Sequence, residues 1–216
     1  APAIQRTRTD GTVVDFCGIG LLTSPNDLVV DAQGDIWFTD PHFDPGANLA
    51  AGRVFRYRGN DSPSGERVGK EAVDGSGRLE LWDSFDHYLN GIGVAPDGRI
   101  VTAERSGLRW LDPATGERGW LAQKMGGHGD GFAFDADGRA YVCLPAARQF
   151  VVVDTDGSVV EKFDLPAGAI TLNCCFGGAD LRTLFVTDAG NATVLAFEAM
   201  PTPGREVYAY AGDSAT

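Results

Sequence analysis

Helical periodicity is nearly missing from this chain. No stretch keeps apolar residues at i, i+3, i+4 and i+7 beyond a turn or two, which excludes a helix bundle. Basic residues are also scarce: 18 Lys and Arg stand against 30 Asp and Glu in 216 residues, a formal net charge of −12. Phosphate binding needs clustered cations, so neither nucleic acid nor an anionic membrane surface is an expected partner. There is no run of about 18 apolar residues and hence no expected bilayer-spanning helix. No charged-then-apolar signal segment opens the chain, although the mature form of an exported protein would read the same way. Cysteine occupies four positions, Cys17, Cys143, Cys174 and Cys175, without the CxxC or Cys/His spacing of a zinc site. All four read as buried, reduced thiols, which points to a cytoplasmic protein. Ser24 and Ser106 lack a Gly-x-Ser-x-Gly elbow, and no glycine-rich stretch forms a dinucleotide or P-loop fingerprint.

Glycine and proline, by contrast, are plentiful. The 29 Gly and 11 Pro are spread along the whole chain, between short β-type runs, which is the all-β pattern. Three segments align without gaps: Asn26 to Phe38, Asn90 to Thr102, and Asp130 to Val142. Each opens with Asn or Asp, continues as an alternating strand, turns through a Gly eight positions later (Gly34, Gly98, Gly138) and returns as a second strand. A looser copy starts at Asn173 and pairs with Thr183 to Thr187. Two further runs follow each hairpin: 53–57 and 78–82, 108–111 and 118–121, 149–153 and 159–163, 192–197 and 206–210.

Four strands per repeat and a period near 40 residues predict the blades of a β-propeller. Gly98 and Gly138 are 40 residues apart, whereas Gly34 and Gly98 are 64 apart, so the first blade is expected to carry a polar insertion over 59–77. The expectation is one propeller domain over 1–216, with blades at 24–83, 90–122, 129–165 and 173–212 and the remainder of an earlier blade at 1–17. The four Trp residues fall on strand patterns and are expected to pack in the core or between blades.

A residue just before the innermost strand of a blade lies at one mouth of the propeller channel. Asn26, Asn90, Asp130 and Asn173 hold that position, and converging oxygen donors suit a hard cation. Asn and Asp also make turns before strands for purely conformational reasons, and both readings stand at this point. The neighbouring Asp27, Asp31 and Asp135 are assigned to turns.

Ser24-Pro25-Asn26-Asp27-Leu28-Val29-Val30-Asp31 with Trp37-Phe38-Thr39-Asp40-Pro41, then Asn90-Gly91, Asp130-Gly131 and Asn173 to Val186, resembles the senescence marker protein/regucalcin and gluconolactonase family, in the family's order. The resemblance covers nearly the whole chain. It implies a six-bladed, all-β propeller of four-stranded blades, about four and a half of them in this chain, and a metal-dependent lactonase. It implies Asn90 and Asp130 as metal ligands, with Asn26 holding substrate or metal-bound water or acting as a ligand itself, and Asp130 as general base. The cation expected first is Ca²⁺, with Zn²⁺, Mn²⁺, Mg²⁺ or Fe²⁺ as others. The family's further ligand, a Glu in a Glu-Gly-Pro segment of the first blade, has no counterpart here, and the chain begins near the family's second blade. His42, expected in a loop after Thr39-Asp40-Pro41 that the resemblance places near the substrate, and His128 are candidate substrate contacts, and His87 is assigned to structure. The expected reaction is hydrolysis of a small sugar lactone by a monomer or weak homodimer. A phosphotriesterase-type ester hydrolase with the same cation site, and a non-catalytic binding propeller, are the alternatives.

Overall fold

The structure, a computed structural model, describes residues 1–44, 49–58, 71–72 and 78–208. Its strands are β1 (Ile4–Thr7), β2 (Val13–Cys17), β3 (Leu28–Val30), β4 (Ile36–Asp44), β5 (Leu49–Tyr57), β6 (Glu71–Ala72), β7 (Leu79–Phe85), β8 (Leu89–Val94), β9 (Ile100–Glu104), β10 (Gly107–Leu111), β11 (Arg118–Gln123), β12 (Phe132–Phe134), β13 (Ala140–Leu144), β14 (Gln149–Val153), β15 (Val159–Lys162), β16 (Thr171–Gly177), β17 (Thr183–Asp188) and β18 (Thr193–Phe197). Among the described residues the sole helix is a single 3-10 turn, Pro145–Ala147. The strands form antiparallel sheets in near-sequential order: β1-β2, β3-β4-β5-β7-β6, β8-β9-β10-β11, β12-β13-β14-β15 and β16-β17-β18. This up-and-down succession is all-β and propeller-like.

One turn recurs between strands. In 31–35, 95–99, 135–139 and 154–158 the fourth residue is a glycine at φ between 77° and 88°. Its N–H donates to the carbonyl of the first residue, and the N–H of the first donates to the carbonyl of the fifth. Only a residue without a Cβ takes that φ at no steric cost, which is why the repeats are punctuated by Gly. Asp31 and Asp135 reinforce the turn: each Oδ1 accepts the N–H of the fifth residue at 2.9 Å. Both serve turns, as expected.

The chain divides into two units, Ala1–Leu89 with Tyr208 and Asn90–Val207. In the first, Ile4, Cys17 and Leu22 pack against Ile36, Phe38, Phe55, Tyr57 and Leu79 of the five-stranded sheet. In the second, β13 is buried along its whole length and divides its side chains by parity. Ala140, Val142 and Leu144 join Val101, Ala103, Leu108, Phe132 and Val151, while Tyr141 and Cys143 join Phe150, Cys174, Leu184 and Val186. A strand covered on both faces reads as a continuous apolar run, and each fully buried aliphatic side chain there contributes about 1.5–3 kcal/mol.

Several expectations are corrected. The run 206–210 was expected as a fourth strand of the last sheet. Residues 206–208 are not strand, and 209–210 lie outside the described residues. Pro201 and Pro203 have no N–H for a ladder, and the chain turns instead to β12: Gly204 bridges Asp135, Ala136 N donates to Pro203 O and Arg205 N donates to Phe134 O, both at 2.9 Å. The expected insertion 59–77 is outside the described residues apart from β6, which adds an edge strand to β7. Cys17, Cys143 and Cys174 are buried thiols, but Cys175 is exposed because strand alternation turns it away from Cys174. Trp37 and Trp82 are buried, whereas Trp120 is 37% exposed, with the Arg109 guanidinium 4.5 Å from its ring centroid.

Candidate functional site

The second unit places Asn90, Asp130 and Asn173 on neighbouring strand starts, and glycine makes that possible. A Cβ on Gly91 would lie 2.5 Å from the Asp130 carbonyl oxygen and 3.0 Å from the Gly131 Cα. A Cβ on Gly131 would overlap the Asn173 side chain and lie 2.8 Å from its Cα. Asn90 and Asp130 are therefore each followed by the glycine that admits the next strand. Gly91 and Gly131 serve close backbone approach, and neither is among the residues with positive φ.

The backbone around these residues is firmly bonded. Asp130 N donates to Cys143 O at 2.9 Å, Cys143 N to Gly131 O at 3.1 Å, and Gly131 N to Leu172 O at 2.7 Å. Asn173 N donates to Thr187 Oγ1 at 2.9 Å, and that hydroxyl donates back to Asn173 O at 3.1 Å. Asn90 and Asp130 are half-buried, a state in which a polar side chain keeps access to ligand while its backbone is fixed. The Asn173 side-chain oxygen already accepts the Cys174 N–H at 2.8 Å. His128 is exposed, and between it and Asp130 lies the buried Gly129.

In the first unit, Asn26 is exposed and its N–H donates to Thr39 O at 2.9 Å. His42 was expected in a loop after Pro41. It lies instead within β4, opposite Ala51, because β4 and β5 remain paired over nine residues. It is half-buried. His87 is half-buried, with its Nδ1 3.2 Å from Asp86 Oδ1 and its ring tilted against Phe85 at a centroid distance of 5.2 Å, in keeping with a structural role.

Sequence reasoning passed over Asp40, Arg53 and Asp188. Asp40 is 1% exposed, pairs with Arg53 and accepts backbone N–H groups from Thr23 and Ser24. Asp188, equally buried, accepts those of Ile170, Gly190 and Asn191. These bonds, with the Ile170 N–H foremost, hold its carboxyl below the ordinary value of 3.8. The signal was the repeated Thr-Asp in Phe38-Thr39-Asp40 and Val186-Thr187-Asp188.

The donors at the strand starts are all oxygen, one carboxylate and amide carbonyls, which is the chemistry of a hard cation. Among the described residues no group of three or more His, Cys, Asp or Glu is gathered for a metal. Asn90 and Asp130 fit such an ion in kind, with amides rather than extra carboxylates completing the set. Among the described residues no helix is long and apolar enough to cross a membrane.

Several known proteins are similar to this chain. A 6-deoxy-6-sulfogluconolactonase of Pseudomonas putida is 27% identical over 162 residues, 70% of this chain and 54% of that protein. A pentonolactonase of Haloferax volcanii is 29% identical over 176 residues, 76% of this chain and 53% of that protein. The chain thus spans about half the length of these curated relatives. A solved gluconolactonase from Xanthomonas campestris matches with a TM-score of 0.66 at 26% identity, over 94% of this chain and 65% of its own. The family profile described as SMP-30/Gluconolactonase/LRE-like region matches residues 5–190, and the chain belongs to that family.

Proposed function

We propose that the protein is a metal-dependent hydrolase that opens a sugar lactone with water. The observation that carries this reading is the apposition of Gly91 to Asp130 and of Gly131 to Asn173, which sets the site residues on adjacent strand starts in the family's order. The lactonases among its relatives support the substrate class. We take the sheets as part of a single six-bladed propeller domain, with β1 and β2 belonging to an early blade.

Asn90 and Asp130 would hold one divalent cation, Ca²⁺ first on the chemistry of the donors. When bound, such an ion supplies Lewis-acid polarisation of the lactone carbonyl. The chain's own residues do the rest. The Asp130 carboxylate takes a proton from the attacking water as its oxygen adds to the carbonyl carbon. The ring C–O bond then breaks, the ring oxygen takes the proton held by Asp130 and leaves as the hydroxyl of the open acid, and the Asp130 carboxylate is restored. Asn26 orients the lactone through its amide, and His42 and His128 hydrogen-bond sugar hydroxyls.

The test is hydrolysis of gluconolactone and xylonolactone by the chelated protein, with single metals then restored. Turnover lost on chelation and regained with Ca²⁺ is the expected result. Absence of turnover above the spontaneous rate with every metal overturns the hydrolase reading and, if lactone still binds by calorimetry, leaves a binding propeller. Faster turnover of an aryl phosphotriester than of either lactone replaces the substrate class.

A further inference from the structure

The segment that carries Asn26 has its N–H groups taken by two consecutive residues of β4. Thr23 N donates to Asp40 Oδ1 at 3.0 Å and Ser24 N to the same oxygen at 2.6 Å. Pro25 has no N–H. Asn26 N donates to Thr39 O at 2.9 Å, and Asp27 N to Thr39 Oγ1 at 3.3 Å. From 23 to 27 every backbone donor therefore ends on Thr39 or Asp40. Arg53 holds the second Asp40 oxygen and also reaches Leu21 O at 3.1 Å and Thr23 Oγ1 at 3.0 Å. Meanwhile the Asn26 side chain stays exposed. A side chain offered to solvent from a backbone with no spare donors is pre-organised for a ligand.

The last sheet repeats the device. Thr187 Oγ1 accepts the N–H of Asn173, and Asp188 Oδ1 accepts that of Ile170 at 2.9 Å, three residues earlier. Asp40 Oδ1 likewise accepts from Thr23, three residues before Asn26. Two independent sheets thus use a Thr-Asp pair on their second strand, within β4 and at the end of β17, to fix the start of their first.

We infer that Asp40 is a positioning residue for Asn26, and that Asp188 does the same for Asn173. The kinetic part of this inference rests on the proposed role of Asn26 in binding lactone; the structural part does not. The substitution Asp40→Asn keeps the shape, but swaps one acceptor oxygen for an NH₂ that faces either the Arg53 guanidinium or the N–H groups of Thr23 and Ser24.

The experiment is a double-mutant cycle with hydrogen exchange on the full chain. Asp40→Asn is expected to raise KM for gluconolactone about tenfold, the scale of one lost hydrogen bond, with kcat changed less than about threefold. In an Asn26→Ala background the same change is expected to alter KM by less than about twofold, because the residue it positions is gone. Amide exchange over 21–27 should speed up in Asp40→Asn and over 168–174 in Asp188→Asn, each leaving the other segment unchanged. Should Asp40→Asn fold poorly, Arg53→Met is expected to move KM and exchange in the same direction to a smaller extent. Additive KM penalties in the double variant, or unaltered exchange at 21–27, overturn the inference. An inactive wild-type protein overturns the lactonase reading instead, and the exchange measurement then decides the positioning role alone.

Discussion

The indole N–H of Trp37 donates to Asp31 Oδ2 at 2.7 Å, while Oδ1 of the same carboxylate accepts the N–H groups of Gln33 and Asp35 at 2.9 Å. One turn residue thereby ties a hairpin to the fully buried Trp37, which lies edge-on to Trp82 at 4.7 Å beneath the Arg56 guanidinium. Asp31→Ala leaves the indole and the buried Asp35 N–H without their acceptor. Each orphaned donor costs about 1–3 kcal/mol, so a loss of roughly 2–6 kcal/mol is expected in urea denaturation followed by tryptophan fluorescence. A loss under about 0.5 kcal/mol would show that water replaces the carboxylate there.

Gly131→Ala tests the close approach of neighbouring strands. Its Cβ would meet backbone and side chain of Asn173, so the strands must separate, at a cost of about 1–3 kcal/mol. Gly98→Ala is the control, since its Cβ meets open space and its strain is one of φ at 87°. Both variants are expected to melt earlier, but Gly131→Ala alone should also lose most lactone turnover. Equal turnover in the two would mean that the spacing of Asp130 and Asn173 does not matter to the site.

What was legible in the sequence was local. The alternation around Gly98 and Gly138 predicted hairpins because the turn is closed within five residues by its own backbone. The end of the third repeat, Ala140 to Val142, predicted a strand, although only its neighbours decide that both faces are covered. The Thr39-Asp40 anchor was not legible, because Asp40 acts on N–H groups 16 and 17 residues away and an acidic residue at a strand end looks like solvent-facing punctuation. His42 was misplaced for a related reason: Pro41 reads as a strand breaker, yet it stands opposite Gly52 and β4 runs through it. The run 206–210 alternates like a strand, but the prolines before it steer Gly204 to Asp135.

The Tyr141 phenol, 1% exposed, is pushed up to about 12, first by burial and then by the charge of Asp135. Its value in an unfolded chain is 10.0. The folded protein therefore keeps this proton where the unfolded chain releases it. The contribution is complete below pH 10 and disappears as pH rises through about 12. The difference in urea midpoint between wild type and Tyr141→Phe should shift against wild type between pH 9.5 and 11.5; a flat difference would mean that the phenol reaches water.

Asp188 works at the other end of the scale. Its carboxyl titrates below the ordinary 3.8 because the Ile170, Asn191 and Gly190 N–H groups favour the ionised form. The stability this provides is present above the unfolded value and is lost as pH falls through the lowered one. Between pH 4.5 and pH 2.5 the wild type should lose more stability than Asp188→Asn, measured as the change in thermal midpoint. Parallel acid profiles would remove the carboxylate from the account of how the Asn173 segment is held.

Asp130 and Asn26 are assigned different parts of one reaction, and their alanine variants should differ accordingly. Loss of a general base typically costs 10²–10⁴ in rate, so Asp130→Ala is expected to lower kcat at least about a hundredfold. Removing the Asn26 amide takes away one substrate hydrogen bond and should raise KM about tenfold with kcat largely kept. Because Asp130 is also proposed to hold the cation, its variant should require more Ca²⁺ for half-maximal residual turnover, whereas the Asn26 variant should not. Metal titration at saturating lactone separates the two. Equal falls in kcat for both variants, with unchanged Ca²⁺ dependence, would move the base elsewhere on the strand starts, since neither side chain would then distinguish binding from proton transfer.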